Sequence, residues 1–161
     1  MGEGLETNLR RRSMRLMKPS PGEAYDRITI LSLKIQAAQG RGLLTSKAVF
    51  EEEHSALVDY MIEKHYTVPT GLGDEMFKIN SRLWDLEDQQ REILARITDP
   101  LRCEEPYAYS FLNNAITVLR LNDARAETVQ KINAACGVNA PEKLHYVKES
   151  QIANADQDHS G

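Results

Sequence analysis

Six residues carry the interior chemistry that this chain could do: Asp26, Arg27, Glu87, Arg91, Asn122 and Arg125. Pro106 to Cys136 is the longest unbroken helical signal in the chain. On a helical period Phe111, Ala115, Val118, Val129, Ile132 and Cys136 share one face, and Asn122 and Arg125 fall on that same face. An amide or guanidinium turned inward needs partners, because one left buried and unpaired costs roughly 1–3 kcal/mol, more if it is charged. The pattern therefore predicts a buried polar layer in which acids from facing helices meet Asn122 and Arg125. Asp26 and Glu87 are the acids in question. Asp26 lies beside Ile30 on the second apolar face of its helix; it reads equally as an interior carboxylate or as an exposed first-turn acid favoured by the helix dipole. Glu87 and Arg91 stand four apart in the arc between a regular stripe (Met76, Ile79, Leu83, Leu86, Ile93, Ile97) and two aromatics, Phe77 and Trp84, an arc that also holds Asn80. They belong to the layer if both aromatics are buried, and otherwise form a surface pair of little worth.

Two further chemistries are written in these residue types. Arg27, Arg91, Arg120 and Arg125 would supply guanidinium forks for a small anionic ligand, such as a nucleotide, sugar phosphate or dicarboxylate, in a pocket between helices. A magnesium-dependent nucleotide pyrophosphohydrolase would need several carboxylates converging from two helices. Glu23 with Asp26, and Asp85 with Asp88, have the three-residue spacing, but Asp85 and Asp88 point away from the apolar stripe and the ExxE and ExxD pairs of that chemistry are absent. No Ser/His/Asp or Cys/His nucleophile can be assembled. His54 sits between Phe50 and Val58 and reads as a hydrogen-bonded interior residue, since no second histidine stands at metal spacing. Gly71-Leu72-Gly73 is too short to be a phosphate loop. No catalytic residue, metal ligand or cofactor is assigned. The leading expectation is a non-enzymatic helical interaction or scaffold protein whose polar layer fixes helix register, with the anionic-ligand pocket and the pyrophosphohydrolase as alternatives.

The elements that must position these groups are helices. Ser20-Pro21-Gly22-Glu23 has the make-up of a capping box with proline at the first helical position, opening a helix that runs to about Gln39. Ala24, Ile28, Leu31 and Ile35 form one apolar face of it, and Ile30, Leu33 and Ala37 a second nearly opposite, as in a helix sandwiched between neighbours. Gly40-Arg41-Gly42 breaks it, and Thr45 or Ser46 caps a second helix ending near His65. Val68 to Gly73 reads as a turn, with Asp74 capping a third helix to about Ile97; Pro106 opens the fourth and Gly137 closes it. Four helices joined by short links predict an all-α antiparallel four-helix bundle with a long fourth helix. The fourth would overhang its neighbours by about ten ångströms, and a second copy covering the overhang predicts a homo-oligomer, a dimer.

Bulk properties bound the rest. The 161 residues fit one domain, assigned here to 19–148, between a basic arm at 1–18 and a polar tail at 149–161; a short strand or turn is expected at Glu142–Lys148. The net charge is −4, and with Arg10, Arg11, Arg12, Arg15 and Lys18 in the arm the remainder is near −7, an acidic body unsuited to nucleic acid. No apolar run approaches the roughly 20 residues of a membrane span. The absence of a secretory core, and two cysteines, Cys103 and Cys136, outside any metal or redox spacing, predict a cytoplasmic protein.

Three stretches carry a resemblance: Ser20-Pro21-Gly22-Glu23 with Asp26-Arg27-Ile28-Thr29-Ile30-Leu31; Leu83-Trp84-Asp85-Leu86-Glu87-Asp88; and Arg120-Leu121-Asn122-Asp123 with Arg125-Ala126 and Ile132-Asn133. The chain resembles, over helices one, three and four, a family of small bacterial proteins of unknown function often encoded near polysaccharide and glycosyltransferase genes. The resemblance brings no activity with it; it marks Asp26, Glu87, Asn122 and Arg125.

Overall fold

The structure, a computed structural model, describes residues 19–97 and 105–139. They form four helices: α1, Pro21–Gly40; α2, Leu44–Glu63; α3, Thr70–Arg96; and α4, Glu105–Ala135. Among the described residues there is no strand, and they form the all-α four-helix arrangement that the periodicities predict. The arm, Cys103, the segment Glu142–Lys148 and the tail lie outside the described residues.

The start of α1 is built as its sequence requires. The Glu23 amide donates to Ser20 Oγ at 3.3 Å and the Ser20 amide donates to Glu23 Oε2 at 2.9 Å, so each side chain accepts from the other residue's otherwise unpaired amide. Gly42, at φ +69°, turns the chain into α2. Here the structure departs from expectation: α2 begins at Leu44, with no side-chain cap, because the Lys47 amide closes the first turn directly on the Leu43 carbonyl at 2.9 Å. α3 likewise begins at Thr70, four residues ahead of Asp74, its first turn closed by the Leu72 and Gly73 amides on the Pro69 carbonyl, both at 3.0 Å. Gly73 is therefore a helical residue rather than a turn residue. A Cβ there would lie 2.5 Å from the Tyr25 hydroxyl, so the glycine lets α1 approach α3.

At the end of α2, His65 takes φ +55°, a left-handed conformation that a side chain disfavours, while the Tyr66 amide reaches back to the Met61 carbonyl at 3.0 Å. His65→Gly should stabilise the protein by about 1 kcal/mol and raise its unfolding midpoint by about 2–4 °C in a calorimetric scan.

α1 is the hub. It packs on all three other helices, α3 and α4 pack on each other, and among the described residues α2 packs on α1 alone. This accounts for the two apolar faces of α1. Ala24 and Leu31 meet Leu57 and Met61 of α2, with Ile28, Phe50 and Tyr60 around them. On the other side Met76, Ile79, Leu83 and Leu86 of α3 and Ile132 of α4 are buried. Among the described residues nothing is fully buried beyond Leu86 on α3 or before Thr128 on α4. The C-terminal part of α3 and the N-terminal half of α4 therefore continue as a two-helix arm.

Candidate functional site

The polar interior lies on the two seams that tie α1 to α3 and to α4. In the first, Asn80 of α3 is only 3% exposed, and its Nδ2 donates to Asp26 Oδ1 at 2.8 Å and to Thr29 Oγ1 at 2.7 Å. The buried Thr29 hydroxyl donates in turn to the Asp26 carbonyl at 2.7 Å. Both amide protons of one side chain are thus spent on α1, and only the NH₂ end of Asn80 can face two acceptors, which fixes its orientation. In the second seam, Asn133 of α4 is 1% exposed and its Oδ1 accepts from the Gly22 amide at 2.7 Å. An α4 side chain thereby satisfies one of the first-turn donors that α1 cannot satisfy itself. A Cβ at position 22 would sit 2.3 Å from the Val129 carbonyl oxygen, so the two helices meet backbone to backbone. Thr128, fully buried, shares its hydroxyl proton between the Ala124 carbonyl at 2.9 Å and Glu75 Oε1 of α3 at 3.2 Å. Among the described residues, Asn80 Oδ1 and Asn133 Nδ2 are the buried side-chain atoms left without a hydrogen bond.

The six residues singled out in the sequence do not gather into one layer. Asp26, half-buried, is joined to the buried Asn80. Arg27 is exposed and ion-paired with Glu53 of α2. Glu87 and Arg91 are exposed and pair within α3 at 3.1 Å, with Asp88 also on Arg91 at 2.5 Å, so they take the surface reading. Asn122 is half-buried, and its Nδ2 donates to the Val118 carbonyl of its own helix at 3.0 Å. Arg125 is half-buried, while Asp26 is bonded to Asn80 and Glu87 to Arg91. The physical reason is height along α4: burial fades before Thr128, so the face that carries residues 122 and 125 points inward where the interior has already opened. The buried layer consists instead of Thr29, Asn80, Thr128 and Asn133. Asn80 was legible, standing four after Met76 and three before Leu83, and Asn133 stands four after Val129 and three before Cys136. Nothing in the apolar pattern flags Thr29 or Thr128.

Among the described residues no group of three or more His, Cys, Asp or Glu could hold a metal ion. Glu23 is engaged in the cap of α1 and Asp88 on Arg91. His54 Nε2 lies 3.2 Å from Ser32 Oγ across the α1–α2 contact, which is the bonded interior reading. Burial pushes the Cys136 thiol above its ordinary range, and its Sγ lies 3.6 Å from the Thr67 carbonyl, the setting of a packed thiol rather than a nucleophile. Burial likewise raises Tyr60, whose hydroxyl donates to the Pro19 carbonyl at 2.9 Å. One cleft of about 450 Å³ opens between the arm helices, near Ile93, Arg96, Tyr107 and Asn113, and another of about 490 Å³ lies by Glu23, Tyr60, Lys64 and Tyr66. Neither is lined by Arg27, Arg91, Arg120 or Arg125. No described helix is long and apolar enough to cross a membrane.

No known protein family, curated protein or solved structure matches the chain.

Proposed function

We propose that this protein is a non-enzymatic helical interaction module of the cytoplasm, in which α1 holds α3 and α4 in fixed register so that their two-helix arm is presented to a partner. The observation that carries the reading is the use made of the interior polar groups. Asp26, Thr29 and Asn80 bond to one another, and Gly22 to Asn133, across helix contacts rather than converging on a cavity. Directed hydrogen bonds of this kind select one register among the several that apolar stripes alone would allow. Gly22, Asp26, Thr29 and Asn133 all fall in the stretches that carry the family resemblance, and we propose that what such a family would share is this register device.

The competing readings require the protein to bind a small molecule. Screening the full chain by thermal shift against nucleotides, sugar phosphates and dicarboxylates, with and without magnesium, separates them. The interaction module predicts no displacement of the midpoint. A ligand at about 100 times its Kd would stabilise the fold by about 2.7 kcal/mol, a shift of several degrees, and would contradict it.

A further inference from the structure

The outer side of the arm carries a surface that, apart from Tyr109 at the edge of the arm cleft, nothing described so far uses. Tyr109, Leu112, Ile116 and Leu119 are 74%, 58%, 41% and 67% exposed. Their spacing is three, four and three, so they form one continuous stripe on α4, about a third of a turn round from the side that faces α3 and α1. The next position in the series is Asp123, exposed, where the stripe ends. Residues 106–119 contain no charged side chain, in a chain that is 27% charged. An exposed helix face ordinarily carries its charges outward, and this one does not.

We infer that the chain pairs with a second copy of itself through this stripe about a two-fold axis, the arms of the two copies together forming a four-helix bundle. The inference rests on the interaction-module reading and names its partner. Two observations select a second copy. The four side chains expose roughly 400–500 Å² on one copy, so two copies bury about 900 Å² from the stripe alone, and its rim brings the contact to the low end of a specific interface. A two-fold axis through the stripe sets the residues nearest it against their own copies, and residues 106–119, which carry no charge, can meet there without like-charge repulsion in an otherwise acidic body.

The test is the mass of the full chain in solution, by light scattering coupled to gel filtration at about 100 µM. The unaltered chain should run at twice its 18.2 kDa. Leu112→Lys with Leu119→Lys should run at the single-chain mass with an unchanged helical circular-dichroism spectrum, since both side chains already face water. Leu112→Ser with Leu119→Ser, a change that introduces no charge, should weaken the dimer at least tenfold. A single-chain mass for the unaltered protein, which would leave the stripe to the chain's own termini or to another protein, overturns the inference. So does a dimer that both double variants leave intact. Neither outcome touches the interaction-module reading, which fails separately if a small anion stabilises the fold.

Discussion

Gly22→Ala is expected to lower the unfolding midpoint by about 10 °C, a loss of roughly 2–4 kcal/mol. In most helices this substitution stabilises, because alanine is better than glycine by about 1 kcal/mol. Here the added methyl would lie 2.3 Å from the Val129 carbonyl oxygen and 2.9 Å from Asn133 Oδ1. The first of these is backbone and cannot swing aside. α1 must back away from α4, which breaks the Gly22–Asn133 hydrogen bond and leaves a buried acceptor unpaired at a cost of about 1–3 kcal/mol. Gly71→Ala is the control: nothing lies within 4 Å of its Cβ position, so its midpoint should be unchanged or slightly raised. Thermal denaturation followed at 222 nm reads both.

Asn80→Asp should cost still more, about 3–5 kcal/mol at neutral pH. The two side chains are nearly the same shape, so packing is preserved and the change is electrostatic. A buried group that donates to Asp26 Oδ1 at 2.8 Å and to Thr29 Oγ1 at 2.7 Å becomes one that only accepts, with a carboxylate set against a carboxylate. Asn80→Leu removes the same two hydrogen bonds without adding charge and should cost about 1–2 kcal/mol. Urea titrations of the two variants should rank them in that order. Equal losses would mean that Asp26 and Asn80 are not in contact.

Much of this fold is legible in the sequence, and the places where it is not have physical causes. The cap of α1 reads directly from Ser20, Pro21 and Glu23 because a capping box is local chemistry. The sandwiched position of α1 follows from its two apolar faces. Gly73 misleads, since a glycine required by a side chain on another helix looks the same in sequence as one required by a turn; the cause is Tyr25, 48 residues earlier. Periodicity places Asn122 and Arg125 on the inward face of α4, and that is all it can do. It states direction around the axis, while burial also depends on which helices stand opposite at that height. Asn80 and Asn133 stand at stripe positions where α1 is present, and they are the buried ones.

The fold turns on the docking of α1, end-on, into α4 by the Asn133 side chain, and amide hydrogen exchange at Gly22, followed by NMR, reports on that contact. A first-turn amide has no acceptor within its own helix and ordinarily exchanges fast. The 2.7 Å bond to a buried Asn133 Oδ1 predicts that Gly22 exchanges as slowly as the core amide of Leu31, while Glu23, bonded to the exposed Ser20 hydroxyl, exchanges far faster. Exchange at Gly22 as fast as at Glu23 would mean that the Asn133 side chain does not hold the first turn of α1.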